Sequence, residues 1–168
     1  AALALTLSYL MWWVYFGEGD EAAEHALSAV PESRRAMVAM RAYGYAHYVL
    51  LLGVVVAAAG TKKVVGHAGE ELKLAEAVAL AGGLALYLAG DAAFRRVLGL
   101  GNVAYRAAGV VLALATIPLG LVVAGGQLVA LIAVLLLVLG LESRATPSGR
   151  VDQGFGGRVA RRAVPPTP

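Results

Sequence analysis

Between Arg106 and Glu142 the chain runs for thirty-five residues, Ala107 to Leu141, without a formal charge. A hydrocarbon core about 30 Å thick is crossed by roughly 20 apolar residues in a helix. Thirty-five residues at about 1.5 Å each would make a helix near 52 Å, too long for one crossing. The Gly125-Gly126 pair divides the block, so the sequence predicts two short spans joined by a tight turn. Pro118 lies inside the first of them and should kink it, which membrane helices tolerate where neighbours satisfy the freed carbonyl.

The rest of the chain repeats the pattern. Ala1 to Phe16 is uncharged; a second block lies between Arg41 and Lys62; a third lies between Lys73 and Arg95 and contains Glu76 and Asp91. The predicted fold class is therefore all-α, a polytopic transmembrane helix bundle over residues 1–142. Its spans, about five in number, fall at 1–16, 42–61, 74–94, 104–124 and 127–141. Composition agrees: 60% hydrophobic and 15% charged, against roughly 45–50% and 25% in soluble domains. Asp20 to Val30 reads as an amphipathic interfacial helix ended by Pro31. Residues 143–168, rich in Gly, Pro and Arg, read as a disordered basic tail. Ala1 sits inside a hydrophobic block with no basic segment before it and no cleavage site after it, which argues against a signal peptide and for missing residues upstream of Ala1, the first helix being clipped or just complete.

Lys and Arg fall unequally on the two sides of such a bundle. The tail, the segment around Arg95, Arg96 and Arg106, and the segment around Arg34, Arg35 and Arg41 carry eleven; the segment with Lys62, Lys63 and Lys73 carries three, and the Gly125-Gly126 turn none. The positive-inside rule then places the C-terminus in the cytoplasm. Cysteine is absent, which excludes disulfides, thiolate metal sites and cysteine nucleophiles. No metal-ligand spacing, nucleophile elbow or paired carboxylate occurs within a span, so no catalytic residue, metal or cofactor is expected. The net charge of +3 flanks apolar blocks rather than forming a basic face, so no nucleic-acid partner is expected either. Gly154 to Arg158 lacks the strand, helix and Lys-Ser/Thr of a phosphate loop. The expected partner is the bilayer, with self-association into a homo-oligomer left open.

Few polar residues lie inside the spans. Trp12, Trp13, Tyr15 and Phe16 read as an aromatic belt at headgroup level, with ligand stacking as the alternative. His47 follows Tyr43 by four residues, an α-helical neighbour, in the run Tyr43-Gly44-Tyr45-Ala46-His47-Tyr48. Ionisable groups in a span are costly and tend to face the bundle interior. His47 is thus either a structural histidine bonded to another helix or part of a polar path. Tyr87, Asp91 and Arg95 share a face; Asp91 either pairs with Arg95 at the interface or joins Tyr87 and His47 in a polar pocket. Gly53, Gly82, Gly83 and Gly90 are small residues that permit close helix packing.

Three runs in order, Leu10-Met11-Trp12-Trp13-Val14-Tyr15-Phe16, then Tyr45-Ala46-His47-x-x-Leu50 with Gly53, then Ala85-Leu86-Tyr87-Leu88-Ala89-Gly90 with Phe94-Arg95, resemble the C-terminal half of the bacterial low temperature requirement A family. The likeness covers roughly Leu3 to Glu142. Two positions depart from that pattern: Gly17 stands where an acidic residue is common, and Asp91 where a histidine is. The resemblance implies a polytopic protein of the bacterial inner (plasma) membrane, with the missing N-terminal half of the same protein as a partner, linked by name to growth in the cold, and brings no catalytic residue. The leading functional expectation is a transporter- or channel-like protein for a small solute or ion, with His47, Tyr43, Tyr87 and Asp91 along its path. The alternative is a structural or sensory membrane protein acting through lipid or partner contacts, and a lipid-directed membrane enzyme comes third. Reporters fused at the C-terminus and at Gly125-Gly126 should signal from opposite sides, the tail from the cytoplasm; signals from one side would contradict the charge reading.

Overall fold

The computed structural model describes residues 1–16 and 20–145. The expected tail beyond Ala145 lies outside them. Every regular element among the described residues is helical: α1 (Ala2–Phe16), α2 (Asp20–Ser28), α3 (Glu32–Ala39), a π-helical segment (Met40–Ala46), α4 (His47–Val64), α5 (Leu74–Leu98), α6 (Ala104–Ala115), α7 (Ile117–Gly120) and α8 (Ala124–Ala145). Among the described residues three helical stretches are long and apolar enough to cross a membrane: the continuous run Glu32–Val64, Leu74–Leu98 and Ala124–Ala145. Ala104–Gly120 is a shorter apolar helix, and α1 has 15 residues. The chain is a polytopic transmembrane helix bundle.

Successive long helices run antiparallel. The C-terminal ends of α1, α5 and α8 share one end of the bundle with the N-terminal ends of α4 and α6; this is called the tail end below. At the opposite end the segment after α4 is tied to the turn before α8. There Leu72 N–H donates to Gly120 O at 2.8 Å, Ala124 N–H to Glu70 O at 2.7 Å and Gly125 N–H to Ala68 O at 2.7 Å. The turn itself is 121–123; Gly125 and Gly126 lie in the first turn of α8, and a Cβ on Gly125 would come within 2.9 Å of Ala68 O. The glycine is needed for that close approach of backbone to backbone. Upstream, Pro118 has no N–H to continue the α6 ladder, and α6 gives way to α7 at Thr116, whose hydroxyl turns back to Ala113 O at 2.7 Å.

Helix α5 is the centre of the bundle. It packs on α4, α6, α7, α8 and the π segment, and Ala77, Leu80, Ala81, Leu84 and Leu88 are fully buried along it. Its start is fixed by the Glu76 carboxylate, which accepts the Lys73 N–H at 2.9 Å. Its end is Gly99, at φ 70°, with Leu100 N–H returning to Arg95 O at 2.8 Å, the pattern of a left-handed C-terminal cap. Small residues let α4 approach α5 backbone to backbone. A Cβ on Gly53 would stand 2.7 Å from Tyr87 Cα and 2.8 Å from Gly83 O, one on Gly83 would stand 2.5 Å from Ala57 Cα, and one on Gly90 would stand 2.8 Å from Leu50 Cα. Gly82 faces elsewhere, with nothing within 4 Å of the equivalent position.

Gln127 is the other buried polar anchor, its Nε2 donating to Ala77 O at 2.9 Å and joining α8 to α5. Helix α2 is the short amphipathic helix expected after the first block; its Ala23 is buried in a small cluster with Ala42, Ala46, Phe94 and Leu98 at the tail end.

Overpacking a close contact costs about 1–3 kcal/mol, whereas Gly to Ala in an open helix position gains up to about 1 kcal/mol. Gly53→Ala and Gly83→Ala should therefore lower the unfolding midpoint of the detergent-solubilised protein, and Gly82→Ala should leave it unchanged or raise it. Equal effects at the three positions would contradict this packing.

Candidate functional site

The site begins with a local departure from α-helical geometry. Residues Met40–Ala46 wind as a π-helix, and the N–H of His47 returns to Ala42 O, five residues back. Such segments are rare and usually one turn long, and they recur at functional sites. The wider register places Ala42, rather than Tyr43, one turn before His47. Tyr43 consequently meets the edge of Phe94, ring centroids 5.2 Å apart at 83°, and His47 turns toward α1.

There the Tyr15 hydroxyl and His47 Nδ1 share a hydrogen bond of 3.2 Å, with the two rings 5.4 Å apart. One turn deeper the Tyr87 hydroxyl, buried on α5, donates to the Met11 carbonyl of α1. Because α1 packs on α8 rather than on α4, a groove remains between α1 and α4. Its cavity is about 340 Å³. Leu7, Met11, Leu50, Ala57 and Tyr87 form the floor, and Ser8, Trp12, Leu51, Val54 and Ala58 the exposed rim. Apart from Ser8, Thr61 and the Tyr15–His47–Tyr87 group, its lining is apolar.

Asp91 lies outside this groove. It is 2% exposed and accepts from Arg106 Nε on α6, with Arg95 Nε 3.6 Å away. Arg106, fully buried, also reaches Glu142 at the end of α8 through Nη1, and its Nη2 has no hydrogen-bond partner among the described residues. One guanidinium thus joins α5, α6 and α8 at the tail end. Trp13 lines a second cleft of about 400 Å³ between α1 and α8, together with Arg95, Glu142 and Ser143.

His47 and Tyr87 therefore share one groove with Trp12, Tyr15 and Phe16, Trp13 faces the second cleft, Tyr43 sits against Phe94, and Asp91 belongs to a separate ionic cluster. Sequence reasoning gave Tyr15 a belt role with ligand stacking as the lesser alternative, and counted Arg106 only as a flanking charge. Arg106 stands in the first turn of α6, at the edge of the uncharged block Ala107–Leu141, and a charge so close to a span was the signal for a buried partner. Glu142, closing the same block, was the matching one. No group of three or more His, Asp or Glu that could hold a metal ion occurs among the described residues.

Removing one partner of a buried ion pair costs about 3–5 kcal/mol, while replacing the pair with apolar residues is often nearly neutral. Arg106→Met should therefore sharply reduce folded yield and thermal stability, and adding Asp91→Leu should recover much of the loss. If Arg106→Met alone is neutral, the cluster does not hold the three helices together.

The comparison with known proteins adds one finding. A family model described as Bacterial low temperature requirement A protein (LtrA) matches residues 1–141. Neither the curated proteins nor the solved structures give a match.

Proposed function

From the premise that this chain belongs to the bacterial low temperature requirement A family, we propose that it is a transporter-like membrane protein whose α1–α4 groove is the ligand site. The observation that carries this reading is the Tyr15–His47 hydrogen bond, 3.2 Å long, at one end of an otherwise apolar cavity of about 340 Å³. That volume falls in the usual range for small-molecule sites, which are apolar with a few placed polar groups. His47 and Tyr15 exchange hydrogen bonds readily, since imidazole and phenol each donate and accept. A ligand oxygen or nitrogen could replace one partner of the pair with little loss.

The same geometry disfavours a bare ion in the groove. An ion there would trade water for apolar walls, a large desolvation cost without compensating charges. The ligand that fits has an apolar body and one hydrogen-bonding end. The charge bias of the connecting segments supports an orientation with the tail end in the cytoplasm of the bacterial inner membrane.

A structural or sensory role is the second reading. It is favoured by α2, which docks Ala23 on the tail end and leaves Glu21 and Glu24 exposed. Deletion after Arg144 separates the two readings, because loss of function supports the second and no effect the first.

In the full protein, His47→Ala is expected to impair growth in the cold while leaving the amount of folded protein in the membrane unchanged. Tyr15→Phe, which keeps the ring and removes the hydroxyl, should give a weaker defect of the same kind. Normal growth in both variants at wild-type protein levels would contradict a ligand role for this pair.

A further inference from the structure

We infer that the occupant of the α1–α4 groove is one acyl chain of an anionic phospholipid, with the headgroup end at His47 and Tyr15. This rests on the reading of the groove as the ligand site and names what fills it.

Shape comes first. The lining runs from Leu7 to Phe16 on α1 and from His47 to Thr61 on α4. At about 1.5 Å per residue the α4 wall is about 21 Å long, parallel to the helix axes. That exceeds half of a hydrocarbon core about 30 Å thick, so an extended chain entering at the His47 end fits along the wall. A compact solute would leave most of it bare.

Polarity comes second. At the tail-end mouth Tyr15 and His47 meet, beside Trp12 and Phe16, whereas the hydroxyls of Ser8 and Thr61 toward the other end are turned back to Ala4 O and Ala58 O of their own helices. Aromatic residues of this kind favour headgroup depth. An ester carbonyl or phosphate oxygen at that level would meet the imidazole and the phenol, and the methylenes would lie along Leu50, Leu51, Val54 and Ala58.

The open side decides between a phospholipid and a free fatty acid. The rim residues Trp12, Leu51 and Val54 are 52%, 49% and 40% exposed, so the groove opens laterally along its length. A closed tunnel would admit a single-chain amphiphile alone, whereas an open-sided groove lets the second chain of a bilayer lipid stay outside. Charge complementarity then selects the headgroup. The tail end exposes Arg34, Arg35, Arg41, Arg96 and Arg144 against Glu21, Glu24 and Glu32, and a basic excess at a membrane surface attracts anionic lipid.

The test uses the full chain purified in detergent from discs of equal parts phosphatidylglycerol and phosphatidylethanolamine. Native mass spectrometry then reads the lipid that each chain keeps. Ala58→Trp fills the groove from its rim, and Val111→Trp adds the same ring on the exposed face of α6, at a position 67% exposed. The wild type should keep one phosphatidylglycerol per chain. Retention should fall about ten-fold, equivalent to about 1.4 kcal/mol of affinity, in Ala58→Trp and stay unchanged in Val111→Trp. Val54→Phe reads the same groove should Ala58→Trp fail to fold. Equal retention in groove and control variants would overturn the proposal by showing annular lipid only. Retention of a fatty acid instead of a phospholipid would overturn it too, as would a dimer that the groove variants dissolve, which would make a second copy the occupant. Because the readout is retained lipid and not growth, a negative result here leaves the His47 growth test of the ligand site standing on its own.

Discussion

The contact on which the arrangement depends is the backbone-to-backbone approach of α4 and α5. Lipid tails are as apolar as leucine, so burying aliphatic side chains gives helices in a membrane little reason to associate. Small residues remove that difficulty by letting whole helix faces come into van der Waals range. Here Gly53, Ala57 and Gly60 of α4 lie against Leu80, Gly83 and Tyr87 of α5, at separations that leave no space for a Cβ on the glycines. Helix α4 is thereby held to α5 along its length, while α1 is held by α8. The groove is the space that those two attachments leave.

The polar groups are divided by the same geometry. At one level of α5, Tyr87 caps the Met11 carbonyl, and Tyr15 reaches His47 across the groove. One turn nearer the tail end, Asp91 is drawn to Arg106 and Arg106 to Glu142. Tyr87 and Asp91 are one helical turn apart, yet the first faces an open cavity and the second an ionic cluster. Their chemistry differs accordingly: a hydrogen-bonding mouth that can exchange partners, and a charge cluster whose members are committed to one another. In a low-dielectric interior that commitment is costly to break, which suits a fixed joint between helices.

Much of the fold was legible because hydrophobic blocks and their flanking charges report on membrane depth directly. The start of α5 could be read from Lys73, whereas its end, read at 94, lies at Leu98; Gly53, Gly83 and Gly90 stand at close helix contacts, while Gly82, read in the same way, faces open space. What was hidden depends on distance in three dimensions. The residues Met40–Ala46 carry no signature that separates a π turn from an α turn, and that extra residue decides whether Tyr43 or Ala42 stacks under His47. Likewise nothing local to Arg106 names Asp91, fifteen residues back, or Glu142, thirty-six residues on, as its partners. Each is a charge at the edge of an apolar block, and only the antiparallel packing of α5, α6 and α8 brings the three edges together.

The central claim is that the α1–α4 groove holds a ligand whose polar end meets His47 and Tyr15. It is tested most directly by an electron-density map of the full chain crystallised from a lipid phase. The account predicts elongated density outside the protein that runs along Leu50, Val54 and Ala58 and ends within hydrogen-bonding distance of His47. A groove closed by direct packing of α1 on α4, or filled by a helix of a neighbouring chain, would contradict it.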